Sequence, residues 1–228
     1  MTEPVCYTAS MNTPAVRLPA TVTAGADFPA TTGRRFHISD THFFHKNIIR
    51  FCDRPYEDVK HMSWDMVNKW NSVVSPEDTV IHYGDVALGD YTLWDDLLTA
   101  LNGTIHLIVG NHERIFKAEK PSRIDRFMGD HERWFASIHD NVAGFTLEDG
   151  TVVNMSHFPY EADHMDKARH MEYRLPDDGT ILIHGHTHLD SKVSRSEKGT
   201  LQIHVGADAW DYTPVAESDL IDLINANR

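Results

Sequence analysis

Five short polar clusters each follow an apolar run, and this arrangement constrains the chain more than any other feature. Asp40-Thr41-His42 follows Arg35–Ser39, and Gly84-Asp85 follows Thr79–Tyr83. Gly110-Asn111-His112-Glu113 follows Thr104–Val109, His157 follows Thr151–Ser156, and Gly185-His186-Thr187-His188 follows Thr180–His184. Short apolar runs rich in β-branched residues read as strands, and Leu201–Val205 is a sixth. Between them lie helical patterns at Asn47–Cys52, Tyr56–Val74, Tyr91–Leu101 and Ser218–Ala226. In Tyr56–Val74 the apolar residues Val59, Met62, Met66, Val67 and Trp70 recur at spacings of three and four. Alternating strands and helices predict an α/β protein. Functional groups in open α/β sheets gather outside the carboxyl ends of strands, so the clusters converge if the strands are neighbours.

Composition sets the wider bounds. A chain of 228 residues, 41% hydrophobic and 24% charged, suits one globular domain with an elaboration. Residues 1–34 are rich in Thr, Ala and Pro and lack apolar periodicity, which predicts an irregular or extended arm, partly packed on the body, whose removal leaves the fold intact. The domain proper then spans 35–228, with the polar, helix-leaning stretch 115–140 as a candidate cap or insertion. No apolar run is long enough to span a membrane, and no secretory leader is expected. The two cysteines, Cys6 and Cys52, form no disulfide framework, so a cytoplasmic location is the default reading.

Charge raises a chemical question. Lys and Arg total 21 against 34 Asp and Glu, a formal net of −13. Duplex binders usually carry a basic face, so no dedicated duplex nucleic-acid binding is expected. An acidic protein can still hold an anionic substrate through bound cations. The sixteen histidines point the same way, because imidazole is the commonest metal ligand.

The ligand types follow from the motifs. Asp oxygens and His nitrogens suit manganese, iron, nickel or zinc. Asp40 and His42 are two residues apart, as are His186 and His188, and in an extended segment such residues point the same way. Asp85 has two oxygens with which to bridge two metals, Asn111 offers an amide oxygen, and His157 adds a nitrogen. Two metals about 3.5–4 Å apart can clamp a phosphoryl group.

Taken in order, Asp-x-His, Gly-Asp, Gly-Asn-His-Glu, His and Gly-His-x-His resemble the signature of the calcineurin-like metallophosphoesterases. The match runs from about Asp40 to His188. The stretch His37–Arg54 and the segment Val205–Val215, with Trp210 and Pro214, are similar to small bacterial and phage members. The resemblance implies a four-layer α-β-β-α sandwich in place of one wound sheet, with a dimetal site at the carboxyl ends of strands. It implies one metal on Asp40, His42, Asp85 and His188, and another on Asp85, Asn111, His157 and His186. The cofactors would be two divalent ions, manganese foremost. A metal-bridging hydroxide would attack phosphorus, while His112, oriented by Asp40 or a main-chain group, meets the phosphate or the leaving oxygen. Substrate contacts are expected from His45, Asn111 and His112.

The function expected is hydrolysis of phosphodiesters, with cyclic nucleotides as candidate substrates and no membrane partner. The alternatives are a phosphomonoesterase, a nuclease using Lys46, Arg50, Arg54, Arg114 and Lys117, or a non-catalytic scaffold. A homo-oligomer is compatible with the sequence. His37, His82, His106, His184 and His204 sit in strand bodies and read as packing or orienting groups. His61, His131, His139, His164 and His170 read as surface residues, and Trp210, Tyr160 and Phe158 as candidate base contacts.

Overall fold

The computed structural model describes residues 22–24, 28, 33–90, 92–116, 118, 120–161, 163 and 169–228. Cys6, Tyr91, Lys117, His164 and most of the expected arm lie outside the described residues. Eleven strands are described: β1 (Val22–Ala24), β2 (Arg35–Ile38), β3 (Thr79–His82), β4 (Thr104–Ile108), β5 (Ser137–His139), β6 (Asn141–Thr146), β7 (Val152–Ser156), β8 (Ile181–His184), β9 (Val193–Arg195), β10 (Leu201–His204) and β11 (Val215–Ala216). They form two sheets, a five-stranded one in the order β11-β2-β3-β4-β5 and a six-stranded one in the order β1-β6-β7-β8-β10-β9. Five α-helices accompany them: α1 (Ile48–Phe51), α2 (Val59–Val73), α3 (Thr92–Leu98), α4 (Pro121–His131) and α5 (Glu217–Asn227).

Parallel pairing follows from the crossovers. β2, β3, β4 and β5 pair parallel in sequence order, with helices between successive strands. Such strands are covered on both faces, which explains why they read as nearly continuous apolar runs. Side chains alternate between the two faces. Phe36, Ile38, Val80, Ile105 and Leu107 join a core with Met62, Met66, Val67 and Trp70 of α2 and Trp94 and Leu97 of α3. Ile81, Tyr83 and Ile108 face the other way and meet Val142, Val153, Met155, Ile183 and Ile203 of the second sheet. Helix α2 starts where the Asp58 carboxylate accepts hydrogen bonds from the Lys60 and His61 amides, a capping arrangement worth about 1 kcal/mol. Burying each of Met62, Met66 and Val67 contributes about 1.5–3 kcal/mol more.

One expectation changes here. The alternation of elements suggests one wound sheet, whereas the chain builds the two-sheet sandwich that the resemblance implies. On the outer face of the six-stranded sheet, Leu182 packs with Tyr160 and Leu175. Helix α5 lies against β2, β10 and β11. The described residues of the arm pack on the body: β1 pairs parallel with β6, and Phe28 is buried in the inter-sheet core. The 115–140 stretch carries α4 and then β5, which completes the edge of the five-stranded sheet.

Candidate metal centre

All five polar clusters come to one end of the sandwich. β2, β3 and β4 are parallel neighbours in one sheet, while β7, β8 and β10 are parallel neighbours in the other. Their carboxyl ends therefore open on the same edge. The sheets are joined there by the bridge between Ser39 and Gly206, by Ser39 N–H to the Val205 carbonyl (2.9 Å), and by Ala207 N–H to the Ser39 carbonyl (2.9 Å).

The backbone at this end departs from the extended geometry that the two-residue spacing suggested. Asp40, His42, Asp85, His186 and His188 have φ of 55°, 49°, 56°, 73° and 52°. Left-handed backbone costs a non-glycine residue on the order of 1–3 kcal/mol and persists only where the surroundings enforce it. Several bonds enforce it here. Asp40 N–H donates to the Gly84 carbonyl (3.0 Å), and His42 N–H donates to the Asp85 carbonyl (3.0 Å). The buried Glu113 carboxylate accepts from the amides of Asp85 (3.0 Å), Val86 (2.9 Å) and Gly110 (2.5 Å). Asp40 Oδ2 accepts from the His186 amide (3.0 Å), tying one sheet's turn to the other's. Gly185 fits only because it lacks a side chain, since a Cβ there would collide with Ser39 Oγ and Asp40 Oδ2.

The side chains converge in two halves. Asp40 Oδ1 lies 4.0 Å from His42 Nε2 and 3.7 Å from His188 Nε2. Asp85 Oδ2 lies 3.6 Å from His42 Nε2 and 3.6 Å from His157 Nε2, between the halves. Asn111 Oδ1 faces His157 Nε2 at 3.1 Å. The rings of His157 and His186 are 5.2 Å apart, and those of His42 and His188 are 5.0 Å apart. Atoms of Asp40, His42 and His188 lie within 4.8 Å of one another, as do atoms of Asp40, Asp85 and His157.

These residues fit divalent cations. Asp40 Oδ1 and His42 Nε2 are buried with no hydrogen-bond partner among the described residues, which is costly unless something else satisfies them. The Tyr83 carbonyl can only accept, so His157 Nδ1 donates to it (2.7 Å). A neutral His157 then turns the lone pair of Nε2 toward Asn111 Oδ1 and Asp85 Oδ2. Converging lone pairs of this kind call for a cation.

Electrostatics agree. Burial holds the imidazoles of His42, His157 and His186 below their usual range, His186 to about 2, so they are unprotonated donors. Burial, reinforced by the charges of Glu113 and Asp40, pushes the Asp85 carboxyl well up. Carboxylates crowded in this way gain from positive charge between them.

The remaining candidates divide. His112 hangs its side chain toward solvent, 38% exposed, with Nε2 3.9 Å from Asp85 Oδ2, while its amide donates to Asp85 Oδ1 (2.8 Å). His45 Nδ1 lies 3.3 Å from His42 Nδ1, and its ring is 6.1 Å from that of His112. Phe158 and Tyr160 are buried, and the Tyr160 hydroxyl donates to the Thr180 carbonyl (2.8 Å), so neither is open to a base. Trp210 is half-buried with Lys192 over its ring. Arg54 is also buried, which removes it from the surface basic patch a nuclease would need. His131, expected on the surface, is buried.

His82, expected to pack or orient, accepts from the Gly84 amide (3.2 Å) and meets Thr41 Oγ1 (3.0 Å), bracing the Asp40–His42 turn from the strand body. Two acids escaped the sequence reading. Asp163 Oδ1 lies 3.3 Å from His186 Nε2. Asp208 accepts from His188 Nδ1 (2.9 Å). Single acids have no spacing to reveal them, although Asp208 falls in the Val205–Val215 segment already noted.

Comparison with known proteins completes the picture. The model of the calcineurin-like phosphoesterase superfamily domain matches residues 34–218. The Gene 66 protein of Mycobacterium phage L5 is 34% identical over 197 residues, covering 82% of this chain and 92% of that protein. An uncharacterised protein of Methanocaldococcus jannaschii is 37% identical over 133 residues, covering 57% of this chain and 70% of that one. A solved protein of unknown function from Aquifex aeolicus shares the fold, with a TM-score of 0.60 at 24% identity over 83% of this chain and 98% of that one. Members of the matched superfamily are generally metal-dependent hydrolases of phosphate esters. With five motifs on one edge of a two-sheet sandwich and a family match over most of its length, the chain belongs to the calcineurin-like phosphoesterase superfamily.

Proposed function

We propose that this protein is a dimetal phosphodiesterase acting on small phosphate esters, nucleotides among them. The observation that carries this reading is the position of Asp85 Oδ2, at 3.6 Å from His42 on one side and 3.6 Å from His157 on the other. Asp40, His42, Asp85 and His188 would hold one divalent ion, and Asp85, Asn111, His157 and His186 the other. Manganese is the first ion to try, with iron, nickel and zinc compatible with the same donors. Bound there, two such ions would supply positive charge and Lewis acidity at the phosphoryl oxygens.

The chain's own residues would do the rest. His112, anchored through its amide to Asp85 with its ring reaching solvent, would donate a proton to the leaving oxygen or a hydrogen bond to the phosphate. General acid help of this kind is worth about 10²–10⁴-fold. His45 would contact substrate beside it, and Phe51, 63% exposed and edge-on to His45 at 6.4 Å, offers a face to an aromatic group. The Arg54 guanidinium is committed to Asp208 and to two backbone carbonyls, so it would not meet the phosphate itself. No helix among the described residues is long and apolar enough to cross a membrane.

The experiment is hydrolysis of bis-p-nitrophenyl phosphate and p-nitrophenyl phosphate on chelator-stripped protein, with and without Mn²⁺. Manganese-dependent cleavage favouring the diester is the expected result. Preference for the monoester would make it a phosphatase. Folded protein inert with Mn²⁺, Fe²⁺, Ni²⁺ and Zn²⁺ would refute the catalytic reading in favour of a scaffold.

A further inference from the structure

We infer that Asp208 and Arg54 form a positioning pair that fixes the ring and tautomer of His188 and couples it to the Asp40 turn. This rests on the reading of His188 as a metal ligand. Asp208 stands on the 3-10 turn Ala207–Trp210, just past β10, with its side chain 5% exposed. One of its oxygens, Oδ2, accepts from His188 Nδ1 (2.9 Å) and from Arg54 Nη2 (2.9 Å), while Oδ1 accepts from Arg54 Nε (2.8 Å). This fork-to-fork pairing fixes the carboxylate in both rotation and position. Arg54 is itself fully committed. Nη1 donates to the Thr41 carbonyl (2.9 Å), and Nη2 also donates to the Asp40 carbonyl (2.7 Å).

Two consequences follow. First, the Asp208 carboxylate can only accept from Nδ1–H, so a neutral His188 keeps its proton on Nδ1 and carries its lone pair on Nε2. That nitrogen is the one facing Asp40 Oδ1, at 3.7 Å. A carboxylate hydrogen-bonded to one ring nitrogen, with the other turned toward the metal, is the arrangement that orients ligating histidines and raises their basicity. Second, the same guanidinium holds the backbone of Asp40 and Thr41, which is left-handed at Asp40. One side chain thereby sets the spacing of two candidate ligands that belong to different sheets. A mere counter-ion for a buried arginine would need neither the contact to His188 nor those to the turn.

The test has two arms on the full chain. In the first, Mn²⁺ is titrated calorimetrically into chelator-stripped wild type, Asp208→Asn, His188→Ala and the double variant. Asparagine keeps an acceptor for Nδ1 but loses the charge. Asp208→Asn should weaken one of two binding steps about 10–100-fold and leave the other. In the His188→Ala background the same change should have little further effect. Equal weakening with and without His188, in protein whose circular dichroism is native, would overturn the proposal.

In the second arm, nitrogen-15 spectra of metal-free wild type are recorded at a pH where the His188 ring is neutral. This arm needs no variant to fold. A proton on Nδ1 is expected, and a proton on Nε2 would overturn the proposal. Wild type that takes up no Mn²⁺ would refute the dimetal reading instead, and the nitrogen spectra would then decide the role of Asp208 alone.

Discussion

Glu217 offers a sharp test of how the fold supports the site. It opens α5, yet its carboxylate is buried and points into the sandwich. Arg35 Nη1 donates to both of its oxygens (2.7 and 2.8 Å), His37 Nε2 lies 3.0 Å away, and the Glu148 amide donates at 2.8 Å. Burial alone would raise its pKa, but His37 and Arg35 more than offset that and bring it from 4.5 to about 2. A shift of about 2.5 units corresponds to about 3 kcal/mol. Because the folded value is the lower one, the unfolded chain binds more protons between the two values. The contribution is therefore fully present well above the unfolded pKa and fades as pH falls toward 2. By linkage, less than half of it survives at about pH 3. Urea unfolding of wild type and Glu217→Gln should thus differ by about 3 kcal/mol near pH 7 and by about 2 kcal/mol less near pH 3. A stability difference that is flat across that range would refute the reasoning. The network matters to the site because His37 Nδ1 meets the Tyr83 hydroxyl (2.9 Å), and the Tyr83 carbonyl holds His157.

Three further outcomes are expected. Asp85→Ala should abolish metal uptake and hydrolysis together, and full retained activity would sink the two-metal reading. His112→Ala should keep its metal content, measured by elemental analysis, while kcat falls about 10²–10⁴-fold; loss of metal would make it a ligand instead. Phe28→Ala should lower the unfolding free energy by about 3 kcal/mol, since a buried aromatic is removed from the inter-sheet core. An unchanged denaturation midpoint would return residues 1–34 to the status of a dispensable arm.

Much of this was legible in the sequence, and the parts that were not share a physical cause. β2, β3, β4, β7, β8 and β10 are buried on both faces or nearly so, and a continuous apolar run announces such a strand. β5, β9 and β11 have two or three residues each, too few to show any period. The clusters themselves could be read because their residue types are unusual after a strand. Their geometry could not, because left-handed backbone at Asp40 is imposed by partners distant in the chain, such as Gly84 and Arg54. His131 looked like a surface residue by its polarity, but its Nδ1 donates to the Phe127 carbonyl and its ring packs near Trp94, Trp134 and Phe135. Only three dimensions reveal the four acceptors around Arg54, since Asp208 lies 154 residues away in the chain.

The two sheets do not share the candidate ligands by chance of numbering. Asp40, His42, Asp85 and Asn111 leave one sheet, and His157, His186 and His188 leave the other. Any ion gripped from both sides is therefore a tether across the seam, binding only while the seam is closed. A ligand of that kind adds about 2.7 kcal/mol to folding when present at a hundred times its dissociation constant. Supply of the ion would then govern the lifetime of the folded chain as well as its turnover. Starving the protein of metal would open the sandwich first at the edge where its chemistry takes place.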